Sequence, residues 1–184
     1  FDLLKDIAVN ANMPLTYGGG IKSVADASKI ISLGFEKVSM SAAFFDKPTL
    51  INDVTAEVGS QSVVVCLDVR RINNNYTILT HRGTRKTNFS LLQALELIER
   101  NPIGEIIINS IDRDGTFTGY DLELAKIVRS HTSINITMLG GCKDVADMSA
   151  LEKHIGVCGC AAGSYFTFVG KNNAVLLNYN KPTI

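Results

Sequence analysis

Two aspartates lie where predicted strands end, and their carboxyl groups could serve as an acid/base pair. Asp68 ends the apolar run VVVCLD, and Asp114 lies in the loop DRDGT that follows the run EIIINS. Two carboxylates in one site repel each other, which separates their pKa values and allows one to donate a proton while the other accepts one. An ion pair with Arg70 or Arg71 is the alternative role for Asp68, and a turn or helix cap is the alternative for Asp112.

Glycine clusters follow several of the predicted strands, where their backbone could bind the phosphate groups of a ligand. Glycine lets the chain approach a ligand closely and turn its N–H groups toward an anion. A tight strand-to-helix turn is the alternative at each single cluster. The clusters fall into an early and a late group, which predicts two phosphate sites and a ligand that spans them. The early group contains Gly19 and Gly20, and the late group contains Gly115, Gly140, Gly141, Gly163 and Ser164.

The composition is that of a folded domain with a hydrophobic core. Hydrophobic residues make up 46% of the 184 residues, and 18 Lys and Arg residues balance 18 Asp and Glu residues. Zero net charge argues against nucleic acid as a partner, because nucleic-acid binders usually carry a basic excess. No apolar run approaches the ~20 residues of a membrane helix, and the opening FDLLKDIA lacks the features of a signal peptide. We therefore expect a cytoplasmic protein without a membrane segment.

Cysteines and histidines form no pattern typical of a disulfide scaffold or a metal site. The four cysteines are sparse, and only Cys158 and Cys160 lie close together, while His81, His131 and His154 stand alone. Zinc sites usually show paired CxxC or Cys/His spacings, and disulfide scaffolds are denser in cysteine. We expect reduced, mostly buried cysteines, no metal and no cofactor.

Short β-branched runs alternate with longer amphipathic stretches along the whole chain, which predicts strands joined by helices. An insertion after the third strand contains one hairpin arm at 76–80 and a basic segment, HRGTRKTN at 81–88, that we expect to be a mobile loop. The predicted strands are 13–17, 37–41, 62–69, 105–110, 135–139 and 156–162, and the predicted helices are 24–33, 48–58, 91–100, 121–129 and 145–154.

Six strand-to-helix units in sequence predict an α/β fold with a parallel sheet. A doubly wound sheet is the alternative to a barrel, but the glycine clusters are spread over the chain and no GxGxxG opens the first helix. A complete (β/α)₈ TIM barrel has eight units in roughly 250 residues. Because the chain also starts at Phe1 and not at Met, we expect a single barrel domain over 1–184 that lacks the first two β/α units.

Five segments resemble one family of barrel enzymes across nearly the whole chain, namely PLTYGGGI, EKVSMSAA, GSQSVVVCLDVRR, GEIIINSIDRDGTFTGYDLEL and AAGSYF. The chain resembles the cyclase-type subunit of imidazole glycerol phosphate synthase, a lyase of histidine biosynthesis with a TIM barrel of the ribulose-phosphate-binding type. The resemblance implies a glutaminase partner at the N-terminal face of the barrel. It also implies that ammonia crosses the barrel to a bisphosphorylated ribulosyl substrate and yields imidazole glycerol phosphate and an aminoimidazole carboxamide ribotide.

The resemblance also implies roles for individual residues. Asp114 matches the second catalytic acid, and Asp68 matches the fifth-strand position near the bound substrate, whereas the family's first-strand aspartate and lysine have no counterpart here. Lys37 and Glu105 match two of the four charged residues that gate the ammonia entrance, with a salt bridge that plugs the barrel bottom as the alternative. One phosphate site matches Gly20, Ser41 and Ala42, and the other matches Gly115, Gly141, Gly163 and Ser164.

Some positions depart from the family pattern. The family has an Asn-Thr pair at Ser41-Ala42 and a serine at Leu139, so hydrogen-bond donors are missing at both phosphate sites. LGG, AAGSYFxFxG and AVLLNY resemble a paralogous branch, the acetamidino-modification proteins of surface-polysaccharide and flagellin-sugar pathways. There the barrel and a glutaminase are thought to supply ammonia to a separate sugar amidotransferase. We favour this branch, with true histidine biosynthesis and an inactive phosphate-binding barrel as the alternatives.

Overall fold

The computed structural model describes residues 1–169 and 174–175. Polar residues at the N-caps explain where four of the helices begin: the side chains of Ser23, Ser90, Asp121 and Asp144 each accept a backbone N–H from the first helical turn. The helices are α1 Asp2–Asn10, α2 Val24–Ser32, α3 Ala42–Asp46, α4 Thr49–Val58, α5 Leu91–Glu99, α6 Leu122–His131, α7 Val145–Ile155 and α8 Ser164–Thr167.

Six strands of the main sheet run parallel and follow one another in chain order, β1-β2-β3-β6-β7-β8, while β4 and β5 form an antiparallel hairpin on β3. Because the six strands are parallel, their C-terminal ends lie along one edge, which we call the mouth. The strands are β1 Thr16–Gly18, β2 Lys37–Met40, β3 Val63–Ile72, β4 Asn75–Thr80, β5 Arg85–Ser90, β6 Glu105–Ser110, β7 Asn135–Leu139, β8 Gly159–Cys160, β9 Phe168–Val169 and β10 Ala174–Val175.

Side chains alternate between the two faces of this sheet. One face packs against the helices and forms the core, with residues such as Val65, Leu67, Ile106, Ile108, Ile136 and Met138. The opposite face, which we call the inner face, carries the more polar residues Lys37, Asp68, Glu105, Asn109 and Thr137. The predicted α/β barrel class is confirmed as a curved parallel sheet with helices outside it. Within the described residues, β1 and β8 each pair with one neighbour, so these six strands form an open part of a barrel.

The expectation of a loop at 81–88 is confirmed for the turn at 81–84 and is wrong for 85–88, because residues Arg85–Ser90 form strand β5. Thr80 pairs with Arg85 and Leu79 with Lys86, so β4 stabilises a segment whose own composition is basic and turn-like. Helices α1 and α3 also lie outside the predicted elements. Among the described residues, no helix combines the length and the apolar character needed to cross a bilayer.

Candidate functional site

A small cavity at the mouth brings the late glycine group together with one of the two predicted aspartates. The loops after β6, β7 and β8 form its wall. A Cβ built at Gly115 would lie 3.8 Å from Ser164 Oγ, which shows how closely the first and last of these loops approach. The cavity is lined by Asp114, Gly115, Phe117, Leu139, Gly140, Gly141, Cys142, Ala162, Gly163 and Ser164.

The backbone conformation at Gly141, in this cavity, requires glycine. Its φ is +92°, and its carbonyl oxygen accepts the N–H of Gly119 at 2.8 Å. A Cβ at this position would lie 2.2 Å from the Gly119 carbonyl oxygen. The turn after β7 can therefore approach the loop after β6 only because residue 141 has no side chain.

The residues predicted for the early phosphate site lie on two loops, with the early glycine group after β1 and Ser41 and Ala42 after β2. These strands are neighbours in parallel register, with Gly18 opposite Ser39, so the loops that follow them meet at the mouth. Gly19 and Gly20 have φ values of +110° and +70°, and a Cβ at either would meet no atom within 4 Å. Ser41 and Ala42 follow β2, where Ala42 begins the short helix α3. The space that a Cβ of Gly19 or Gly20 would occupy is thus open, and Ser41 and Ala42 lie at the end of the neighbouring strand.

Asp68 lies at the mouth end of the inner face, hydrogen-bonded to its neighbour on β6. Asn109 lies opposite Asp68 in the parallel register, and its Nδ2 donates to Asp68 Oδ1 at 2.9 Å. The Oδ1 atom of Asn109 is buried and has no hydrogen-bond partner among the described residues. Sequence reasoning missed Asn109, although its place as a polar residue at an alternate position of EIIINS was the available signal.

The two predicted aspartates share the mouth but have different surroundings. Asp68 is half-buried on a strand, whereas Asp114 is exposed on the loop after β6 and lines the late cavity. Among the described residues, Asp68 forms no ion pair with Arg70 or Arg71, so that alternative is wrong.

Those two arginines contact other carboxylates. Arg70 Nε donates to Asp112 Oδ1 at 3.2 Å, and Arg71 pairs with Glu123 at 2.7 Å. Asp112 Oδ2 also accepts the backbone N–H of Arg71 at 2.6 Å. Asp112 therefore fastens the end of β3 to the loop after β6, a larger role than that of a turn residue.

Lys37 and Glu105 meet at the opposite, N-terminal end of the inner face. Lys37 Nζ lies 2.6 Å from Glu105 Oε2, and Thr137 Oγ1 donates to Glu105 Oε1 at 2.6 Å. The contact between Lys37 and Glu105 is present, and sequence reasoning missed the hydrogen bond that Thr137 adds to Glu105. Glu105 is thus held by a cation and a hydroxyl on either side.

The inner face between these two ends is neutral along β3. Cys66 lies on the same face as Asp68, two residues earlier on the strand. Burial raises the pKa of the Cys66 thiol to about 12, and the nearby Asp68 carboxylate adds to this rise. The thiol therefore carries no charge at neutral pH.

The cysteines and the remaining acidic and histidine side chains of residues 1–169 and 174–175 form no further centre. All four cysteines are free thiols. In the described part of the chain, no group of three or more His, Cys, Asp or Glu side chains is arranged to hold a metal ion. Gly170 of the AAGSYFxFxG match and residues 176–179 of the AVLLNY match lie outside the described residues.

Comparison with known proteins gives consistent matches. A family model described as histidine biosynthesis protein matches residues 1–171. A Leptospira interrogans protein named "Putative imidazole glycerol phosphate synthase subunit HisF" is 40% identical over 181 residues, which cover 97% of this chain and 71% of that protein. A Vibrio vulnificus (strain YJ016) protein named "Putative imidazole glycerol phosphate synthase subunit hisF3" is 40% identical over 183 residues, 98% of this chain and 70% of that protein.

A third relative comes from Sulfolobus acidocaldarius. It is named "Imidazole glycerol phosphate synthase subunit HisF" and is 37% identical over 164 residues. The match covers 89% of this chain and 66% of that protein.

Proposed function

The chain belongs to the histidine biosynthesis protein family, and from this premise we propose that it is a cyclase-type, lyase subunit of the imidazole glycerol phosphate synthase kind. Its substrate is a bisphosphorylated ribulosyl compound bound at the mouth. Its second reactant is ammonia, delivered by a glutaminase partner at the N-terminal face. The observation that supports this function best is the placement of two polar pairs at opposite ends of one inner face.

The inner face offers a path from one pair to the other. The Lys37–Glu105 pair lies at its N-terminal end, and Asp68 with Asn109 lies at its mouth end. Glu105 and Asn109 are four residues apart on β6, which corresponds to roughly 13 Å at about 3.3 Å per residue. Between them Cys66 holds a neutral thiol, so neutral ammonia would meet no charge on this part of β3.

Proton transfer is the role we assign to the two aspartates. The hydrogen bond from Asn109 occupies Asp68 Oδ1 and orients the carboxylate, which leaves Oδ2 to exchange protons with the substrate. Asp114, beside the late cavity, is the second acid/base group. Nitrogen addition and ring closure both require protons to move between substrate atoms, and two separately held carboxyl groups can carry them.

Phosphate binding is the role of the two glycine groups. The late cavity offers backbone N–H groups and the Ser164 hydroxyl, and the early group offers the open backbone of Gly19 and Gly20 with the Ser41–Ala42 step. Two sites on opposite sides of Asp68 would hold the two ends of a bisphosphorylated ligand. The reactive middle of that ligand would then lie over the carboxylate.

The direct test is turnover of the bisphosphorylated ribulosyl substrate with an ammonium salt and this protein alone. We expect formation of imidazole glycerol phosphate together with the aminoimidazole carboxamide ribotide. Added glutaminase subunit and glutamine should replace the ammonium salt. Binding of the substrate without any turnover would overturn the cyclase assignment.

A second candidate is an ammonia conduit for the amidination of a surface sugar, with a separate sugar amidotransferase as the further partner. The observation that favours it is Leu139, which lines the late cavity and has an apolar side chain that cannot donate a hydrogen bond to a phosphate. Ala42 is likewise without a donor at the early site. Ammonia-stimulated sugar amidination in the presence of this protein, without turnover of the ribulosyl substrate, would favour this candidate.

Lys37→Ala tests the gate. Removing the cation leaves Glu105 with Thr137 alone at the N-terminal end, so passage of ammonia along the inner face should change. We expect glutamine-dependent turnover to change by about fivefold or more, the lower end of ordinary coupling between sites. Turnover with ammonium salt should change less, because dissolved ammonia can reach the substrate from the mouth.

Thr137→Val is the matched control for this prediction. It removes the hydroxyl but keeps the Lys37–Glu105 pair, so its two rates should stay close to those of the wild type. Equal effects of Lys37→Ala on the glutamine-dependent and ammonia-dependent rates would argue against a gate.

A further inference from the structure

The tip of the β4–β5 hairpin lies over the end of β2. We define the hairpin tip as residues 81–85. Strand β6 pairs with one edge of β3. The other edge of β3 pairs first with β2, along Val63–Val65, and then with β4, along Asp68–Ile72. Because β4 runs antiparallel to β3, the chain returns from Ile72 toward the end of β2. The hairpin tip therefore comes down beside Ser41 and Ala42, the residues that follow β2.

Side-chain contacts on both sides hold the hairpin tip across the mouth. Asp46, at the end of α3, lies 3.6 Å from His81 Nε2 and 3.7 Å from Arg85 Nη1. The rings of Phe45 and Phe89 lie 5.5 Å apart and join the same two elements. On the other side, a Cβ at Gly83 would lie 3.5 Å from Ile111 Cδ1 in the loop after β6.

The backbone of the hairpin tip is strained. His81, Arg82 and Gly83 have φ values of +52°, +61° and +74°, three consecutive left-handed residues of which two carry side chains. Such conformations are unfavourable for a residue with a Cβ and persist where surrounding contacts enforce them. The contacts to Asp46 and Ile111 are of that kind.

The hairpin tip supplies the charge that the early glycine group does not have. Gly19, Gly20, Ser41 and Ala42 carry no formal charge. His81 and Arg85 contact Asp46, whereas Arg82 forms no ion pair with any described residue. Arg82 is thus the cation of the tip that is available to an anion, and a guanidinium can bind a phosphate through two parallel hydrogen bonds.

We propose that Arg82 contacts the ligand phosphate at the early site and so helps to determine the preference for a bisphosphorylated ligand. This inference rests on the proposed function, because it adds a residue to the ligand site described there. Asp46 positions the tip through His81 and Arg85. The early site is then built from the loops after β1 and β2 together with the hairpin tip between β4 and β5.

The test is binding of ribulose 1,5-bisphosphate, used as the bisphosphorylated probe, measured by titration calorimetry on the whole chain. Arg82→Gln should weaken binding roughly ten- to a hundredfold, as expected for loss of a hydrogen bond to a charged group. Arg82→Lys, which keeps the charge but not the paired donors, should recover part of this loss. The wild type should also lose more affinity with rising salt than Arg82→Gln does.

Lys86→Gln is the matched control, because it removes one positive charge from the same hairpin. Lys86 lines a groove between the hairpin and helices α5 and α6, so it is not expected to touch the ligand. If the wild type binds the probe and the two substitutions weaken binding equally, or neither weakens it, this inference is overturned and the proposed function stays in place. Absence of wild-type binding would overturn both.

Discussion

Asp68→Asn is expected to lower ammonia-dependent turnover by roughly 10²–10⁴-fold, the usual contribution of a positioned general acid or base. The substitution keeps the size of the side chain and removes the carboxyl group, which can gain and lose a proton. Asparagine at 68 can still accept the hydrogen bond from Asn109, provided that its carbonyl oxygen replaces Oδ1. Binding of ribulose 1,5-bisphosphate should therefore stay within a few-fold of the wild type while turnover falls.

Two companion variants make this prediction specific. Asp114→Asn should cause a loss of similar size if Asp114 is the second acid/base group, and because Asp114 is exposed the melting temperature should not change. Asp112→Asn keeps a side-chain oxygen that can accept the Arg71 N–H and so retain the link between β3 and the loop after β6, and residue 112 does not line the late cavity, so turnover should stay near normal. A near-normal rate for Asp68→Asn would remove it from the acid/base pair, and the same holds for Asp114→Asn.

Gly141→Ala is expected to destabilise the fold by about 3–5 kcal/mol. The new methyl group would overlap the Gly119 carbonyl oxygen, 2.2 Å from the ideal Cβ position, and would do so at a φ of +92°. The methyl group is fixed directly to the backbone of residue 141 and the oxygen belongs to the backbone of Gly119, so neither can rotate away. For a chain of this size we expect a fall in melting temperature of roughly 6–20 °C, measured by thermal unfolding followed by circular dichroism.

Gly19→Ala separates the conformational strain of a positive φ from the steric overlap with Gly119. Gly19 also has a positive φ, +110°, but a Cβ there meets no atom within 4 Å. This variant should show the conformational strain alone, about 1–2 kcal/mol in the free energy of unfolding. Equal destabilisation by the two substitutions would mean that the approach to Gly119 is not what requires glycine at 141.

The strands and helices that carry the site could be predicted because their signals are local. The runs EIIINS and NITML were predicted as strands with the bounds that the structure shows, and the five predicted helices are all present. Apolar periodicity and capping residues depend only on neighbours a few positions away. Strand β5 could not be predicted in this way. Its composition is that of a basic loop, and its strand conformation comes from pairing with β4.

The late glycine group shows which features of the site can be predicted from the positions of strand ends. Its five residues lie on three loops, and their common cavity follows from the parallel arrangement of β6, β7 and β8. Sequence reasoning could place them at one edge of the sheet. It could not show that Asp114 and Leu139 share the same cavity wall, because that depends on how the three loops turn.

By itself, the sequence determined the order of the six parallel strands and five of the helices, the α/β class and the placement of Asp68, Asp114 and the glycines toward the mouth, since each follows from periodicity or a short motif. Only the tertiary structure decided the partners. Asn109 reaches Asp68 across 41 positions, and Glu105 reaches Lys37 across 68. The hairpin tip meets Asp46 because β4 and β2 lie along the same edge of β3. Such contacts depend on strand register and loop path, which no local pattern in the chain encodes.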